Sequence, residues 1–228
     1  MLKSEAMELL GELGWLATTP AHFRAAMLLE CDLLPLRRGE TLFSAGDHSG
    51  GIFGVVKGRI ELHLPAGFEG STLAFACGAG HWFGEIAALG GGERRVSIIA
   101  AKDTLILRLM RANMQRIAEQ DPEAWMHFAR LLARNLGIAM DVVTAIRFEH
   151  PLQRIAAMLQ FLLRADESRG PKVSVSQSDL GAMAGLSRNS VNRALAELER
   201  LGIVHRSYGV VEIIDLAGLR RVLTADTA

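Results

Sequence analysis

The chain is short of cysteine, of net charge and of long apolar runs. Cys31 and Cys77 are the only two cysteines in 228 residues. They are too few for a disulfide framework and too far apart for a local metal motif. They suit a reducing cytoplasm, as small buried hydrophobes. The 25 Lys+Arg balance the 25 Asp+Glu, so there is no basic tail of the kind that grips nucleic acid regardless of sequence. Acidic residues are in slight excess before residue 150 and basic ones after it. No apolar run approaches the roughly 20 residues needed to cross a bilayer. The opening MLKSEAMELLGELGW carries acidic residues throughout and lacks the apolar stretch of a secretory signal. The seven histidines form no HExxH and no i, i+4 pair, and neither a P-loop nor a nucleophile elbow is present. The expectation is a cytoplasmic protein that is not an enzyme, with no metal and no membrane partner.

What is present is concentrated in SQSDLGAMAGLSRNSVNRALAELERLG, residues 176–202. It reads as a helix, a tight turn and a second helix. Ser178 and Asp179 can cap the first helix, Gly185 breaks it, and Leu186 plugs the turn. Ser187 stands at the N-cap of the second helix. Val191, Ala194, Leu195 and Leu198 form its apolar face at 3/4 spacing. The other face, near the N-terminus, presents Arg188, Asn189, Asn192 and Arg193. Arg pairs bidentately with guanine and Asn with adenine in a major groove wide enough for a helix, where the second helix of a helix-turn-helix lies. The plainer alternative is a solvated polar face on an ordinary helical hairpin.

Residues 3–30 read as helix broken near Thr18–Pro20. From Leu34 to Leu109 the texture is Gly and β-branched residues, with short apolar runs between turn signals. LRRGETLFSAGD, GIFGVVKGRIELHL, STLAFACGAGHWFGEIAAL and VSIIAAKDTLILRL read as strand pairs of a compact barrel or roll. Lys57-Gly58 fits a tight hairpin turn between Ile52–Val56 and Arg59–Leu64. Helix resumes at Arg111, and a long one should run from Asp121, with Pro122 at its first position, to about Phe148. On it Phe128, Leu132, Asn135, Ala139, Val142 and Ile146 alternate in steps of four and three, the seam of a helix pairing with its own copy. Leu131, Ile138 and Ala145 form a second apolar stripe for the intramolecular side. The other option is that the seam packs on the chain's own roll. His150 before Pro151 should bend the chain. Leu152–Arg164 is amphipathic, with Ile155, Leu159 and Leu162 inward. DESRGPK reads as a polar loop, and Val173–Val175 as a short strand. After Gly202, IVHRSYGVVEII reads as a hairpin. A helix-turn-helix followed by a hairpin is a winged helix, with Arg206 and Tyr208 placed to reach a phosphate or the minor groove. Leu216–Leu223 is a final helix.

A β-roll, a long helix and a C-terminal winged helix, in that order, resemble the CRP/FNR family of bacterial transcription regulators. The resemblance rests on RRGETLFSAGD with IFGVVKGRIEL, on FGEIAALGGGERRVSIIAAKDTLIL, which is similar to the family's phosphate-binding cassette, and on the helix-turn-helix. It implies an α+β fold. Residues 1–120 would be a jelly-roll-like sensor domain (a double-stranded β-helix), 121–149 a dimerisation helix and hinge, and 150–228 a winged helix-turn-helix domain. Arg188 and Arg193 fall on the family's base-reading and phosphate-contacting arginines. Asn189 replaces a glutamate that accepts from cytosine, so the operator should differ. Ser178, Ser187, Asn192, Arg206 and Tyr208 complete the expected DNA contacts. Gly84 and Glu85, with neighbouring Ile86, match the cassette that holds ribose and phosphate. Arg94 or Arg95 supplies the phosphate clamp; Ser97 follows as hydroxyl only with a shift. Glu85 and Arg94 read equally as a salt bridge bracing an empty roll. Where the cyclic-AMP receptor uses a Thr-Ser pair against adenine, this chain has Ala139-Met140. Each lost partner costs about 1–3 kcal/mol, which weighs against cyclic AMP and leaves another cyclic nucleotide or small anion open. No N-terminal cysteine cluster exists to hold an iron–sulfur centre. His81 lies near the cassette, but a lone histidine is more often structural, so haem is not expected. The partners implied are a near-palindromic double-stranded operator, a second copy of the chain, and RNA polymerase if the protein activates. Alternatives are a cyclic-AMP-dependent regulator proper, or a sensor whose winged helix binds a protein.

Overall fold

A computed structural model describes residues 3–48, 50–65, 70–165, 170–207 and 209–224. The chain falls into two units, Met1–Asn135 and Leu136–Ala228, divided within one continuous helix.

In the first unit, helices α1 (Lys3–Gly11), α2 (Gly14–Ala17) and α3 (Ala21–Leu29) precede eight strands. These are β1 (Asp32–Leu36), β2 (Thr41–Phe43), β3 (Gly51–Lys57), β4 (Ile60–Pro65), β5 (Ser71–Cys77), β6 (Trp82–Phe83), β7 (Ser97–Ala100) and β8 (Thr104–Met110), with α4 (Glu85–Gly90) after β6. The strands form two four-stranded sheets, β1-β8-β3-β6 and β2-β7-β4-β5, with antiparallel pairing throughout. This is the jelly-roll order: the chain changes sheet at every step except β4 to β5.

The expected strand pairs are corrected by that order. Lys57-Gly58 does not close a hairpin, because β3 pairs with β8 and β6 while β4 pairs with β5 and β7. The turn instead carries the chain between sheets, and β1–β2 and β7–β8 are likewise split. Local alternation fixes which face a residue takes, not which strand lies beside it.

β3 is buried along almost its whole length because both faces of its sheet are covered. Phe53 and Val55 point into the roll with Phe43, Phe83, Ile98 and Ile106. Ile52 and Val56 point the other way, against Trp15, Phe23, Met114 and Phe128 from the helices. Helix α5 (Arg111–Gln120) and the long α6 (Ala124–Ile146) follow. α6 begins two residues later than expected, at Ala124 instead of Pro122; the Asp121 carboxylate accepts from the Glu123 N–H at 3.2 Å, within a turn.

The second unit holds α7 (Pro151–Ala165), β9 (Lys172–Ser174), α8 (Gln177–Ala184), α9 (Arg188–Arg200), β10 (Val204–Ser207), β11 (Val210–Ile213) and α10 (Leu216–Thr224). Its strands form one antiparallel sheet, β10-β11-β9. Ile155, Leu159 and Leu162 of α7 and Val191, Ala194, Leu195 and Leu198 of α9 are all buried, as their spacing requires. Residues 166–169 of the polar loop lie outside the described residues.

Candidate DNA interface and effector cassette

The helix-turn-helix is built from local signals. Ser176, not Ser178, caps α8, its hydroxyl accepting from the Asp179 N–H at 3.0 Å. The β9 strand ends at Ser174, so the chain turns into the helix two residues earlier than expected. α8 ends at Gly185, whose φ of 62° is left-handed. Leu186 N–H donates to the Gly181 carbonyl at 2.9 Å, closing the turn. A Cβ on Gly181 would stand 2.8 Å from the Leu186 carbonyl oxygen, so only glycine lets the turn fold this tightly against α8. Ser187 caps α9 by accepting from the Ser190 N–H at 3.2 Å.

α9 then divides sharply along its length. Arg188, Asn189, Asn192 and Arg193 are exposed. None of the four side chains has a hydrogen bond, ion pair or ring contact among the described residues. The charges of the last two turns are all engaged. Arg200 forks onto Glu197 at 2.8 and 2.7 Å. Glu199 accepts the Arg206 backbone N–H at 2.9 Å and its Nε at 2.7 Å. These Arg206 donors hold the Glu199 carboxyl below the usual carboxylate range. Arg206 therefore straps the wing to the helix through its backbone N–H and Nε. Sequence reading placed it on the wing but missed Glu199, because that pairing depends on how the hairpin returns over α9. Ser178 and Ser187 are exposed, with Ser187 Oγ committed to the cap. Tyr208 lies outside the described residues.

In the first unit the cassette opens at Gly84, whose φ of 95° begins α4 in a left-handed conformation. Glu85 is buried, and burial pushes its carboxyl pKa up against the opposing pull of backbone N–H groups, Asn135 and Arg94. The Arg94/Arg95 ambiguity resolves by position. Arg94 is buried, with Nη1 donating to the Gly84 carbonyl at 2.8 Å and Nη2 to the Gly51 carbonyl at 2.9 Å. Its guanidinium carbon lies 4.3 Å from the centre of the Phe43 ring. Arg95 is exposed. Among the described residues no ion pair joins Glu85 to Arg94, so the expected salt-bridge brace is replaced by these two carbonyls. Arg94 Nε and Asn135 Oδ1 are buried without a partner among the described residues. Ser97 Oγ accepts from the Ala45 N–H at 3.0 Å, and Ile86 is exposed. His81 stacks on Phe83, and burial with the nearby Arg134 charge lowers its pKa to about 4.

On α6 the expected seam is off register. Phe128 is fully buried among Phe23, Trp125 and the α1–α3 core. Asn135 turns inward too, its Nδ2 donating to the Trp82 carbonyl at 3.0 Å. Leu132 and Val142 are half-buried, while Ala139 and Ile146 are exposed. The large exposed apolar residues of α6 are Trp125 (44%) and Met126 (57%) near the start and Leu136 (59%), Met140 (58%), Val143 (48%) and Ile146 (43%) further on. α6 carries two apolar stripes, and periodicity alone does not tell which one faces the roll.

Residues 153–222 match the Crp-like helix-turn-helix domain family, and residues 33–121 the cyclic nucleotide-binding domain family. The cyclic AMP receptor protein of Thermus thermophilus is 34% identical over 188 residues, covering 81% of this chain and 85% of that protein. The chain belongs to the CRP/FNR family. It is a transcription regulator of that type, with a helix-turn-helix and a cyclic nucleotide-binding domain. The cAMP-activated global transcriptional regulator CRP of Haemophilus influenzae is 26% identical over 183 residues, 78% of this regulator and 82% of that one. The structure of FixK2 from Bradyrhizobium japonicum shares the fold, with a TM-score of 0.74 over 86% of this regulator and 99% of that chain, at 19% identity. Among the described residues of the regulator, no helix is long and apolar enough to cross a membrane, and no group of three or more His, Cys, Asp or Glu is placed to hold a metal ion.

Proposed function

We propose that this CRP/FNR regulator acts in the cytoplasm as a homodimer on a near-palindromic operator, each copy laying the first turns of α9 in the major groove. Residues 1–120 form the sensor domain, 121–149 the dimerisation helix and hinge, and 150–228 the DNA-binding domain. The observation that carries this is the division of α9: four exposed, unpartnered Arg and Asn side chains at its start, and internally paired charges at its end. Arg188, Asn189 and Asn192 read base edges. Arg193, with Ser178, adds base or phosphate contacts. Two copies place their helices about one helical turn, ~34 Å, apart. The pairing seam is revised to Leu132, Leu136, Ala139, Val143 and Ile146, which keep the 4-3-4-3 spacing on the exposed side of α6. Fluorescence anisotropy on duplexes selected from random DNA tests the reading. Binding should fall steeply with salt. Salt-insensitive binding, or none, would point to a protein partner for the winged helix instead. If the regulator activates, RNA polymerase is the further partner.

The sensor ligand is proposed to be a cyclic nucleotide or a similar small anion. Support comes from the match over residues 33–121, from the name of the Thermus relative, and from two buried polar atoms at the cassette that lack partners among the described residues, Arg94 Nε and Asn135 Oδ1. Arg94 would meet the phosphate, and Gly84 and Glu85 the ribose. Calorimetry against cyclic AMP and cyclic GMP, with Arg94→Ala abolishing the heat and Arg95→Ala preserving it, tests the assignment.

A further inference from the structure

We infer that Arg154, bonded to backbone carbonyls of two separate segments, is the positioning residue that sets the pose of the recognition helix. It stands in the first turn of α7. Nε and Nη2 both donate to the Phe148 carbonyl, at 2.9 and 2.7 Å, and Nη1 donates to the Ala184 carbonyl at 3.2 Å. Phe148 lies in the linker between the end of α6 and the start of α7, and Ala184 is the last residue of α8. Carbonyls at and just past a helix C-terminus have no intrahelical N–H to accept from and sit at the negative end of the dipole. A half-buried guanidinium with no carboxylate partner among the described residues meets both.

The consequence follows from connectivity inside the second unit. α8 is joined to α9 by the closed turn at Gly185–Leu186, so fixing the end of α8 fixes the start of α9. The other end of the same guanidinium grips the linker between α6 and α7. Arg154 therefore sets the angle at which the linker delivers α9. Only a planar fork with several N–H donors spans two acceptors this way; a lysine ammonium, one nitrogen on a flexible stem, does not. In a dimer, an error in that angle appears as an error in half-site spacing.

This rests on the reading of α9 as the DNA reader, and the experiment separates the two. The intact protein, and its Arg154→Gln, Arg154→Lys and Arg154→Met variants, are titrated onto a selected operator and onto versions with the half-sites one base pair closer or further apart. Binding at the preferred spacing should weaken about tenfold in the variants, the effect of losing one charge-assisted hydrogen bond. The preference among spacings should flatten, and Lys should not restore it. The slope of affinity against salt should stay unchanged, because no phosphate contact is lost. An unaltered spacing preference overturns the inference. So does a salt slope reduced by about one, which would make Arg154 a phosphate contact. If Gln and Met both fail to fold on thermal melting, the role is structural and the inference also falls. Absence of wild-type DNA binding would remove the DNA reading itself; normal wild-type binding with unchanged variants removes only the role of Arg154.

Discussion

The side chains of Arg188, Asn189, Asn192 and Arg193 have no partner among the described residues, and that makes their substitution informative. Arg193→Ala should weaken operator binding by about 10–100-fold, the effect of one lost base or phosphate contact, while sedimentation shows an unchanged oligomer. Asn189→Glu should move the base recovered opposite it from adenine toward cytosine in a selection from random DNA; recovery of the same motif would count against Asn189 as a reader. In the cassette, Glu85 has a folded pKa raised by burial. A raised carboxyl pKa means the folded state favours the proton, so its contribution to stability is largest in acid and declines as pH rises through the folded value. Glu85→Gln should therefore raise the melting temperature at neutral pH while impairing effector binding. His81 behaves oppositely in sign. Its folded pKa is lowered from 6.5 to about 4, so its contribution is intact above pH 6.5 and is lost as pH falls towards 4. Urea midpoints of the wild type and His81→Phe should separate over that window.

α6 shows how far a helix can be understood from its own sequence. Its 3/4 periodicity and approximate length were legible, and so was the existence of two apolar stripes. Which stripe faced inward was not, because that depends on what the roll presents: the Phe23 ring meets Phe128 at 5.3 Å, and the Trp82 carbonyl takes Asn135. Two substitutions should behave differently as a result. Phe128→Ala should cost about 3–5 kcal/mol of folding stability through a buried cavity. Leu136→Lys should leave each protomer folded and turn the dimer into a monomer in sedimentation velocity. The same contrast runs through the other elements. The reader helix was legible nearly to the residue, because cap, turn glycine and apolar face are all local signals. The first cap was misplaced by two residues, since Ser176 and Ser178 are equally good acceptors until the end of β9 is known. Apart from β4–β5, strand partners in the roll lie 28 to 76 positions apart, and no local pattern encodes them. The Arg206–Glu199 pairing was hidden for the same reason: the two meet only once the wing has folded back.

The whole molecule joins a sensing unit to a reading unit through one uninterrupted helix. A ligand in the cassette alters operator affinity only by favouring one arrangement of the dimer over another. Linkage makes that testable without a structure of the complex: whatever factor the effector applies to operator affinity, saturating operator must apply to effector affinity. Paired titrations giving unequal factors would mean that the two events are not coupled in one equilibrium.

The strand order of the roll has one more consequence. β8, the last strand made, lies between β1 and β3, so the sheet has a gap at its middle until Met110 has left the ribosome. No shorter N-terminal fragment can close, and the nascent roll must wait with its phenylalanines uncovered. Synthesis slowed before residue 110 should therefore expose this regulator to chaperones and proteases far more than the same pause placed after it.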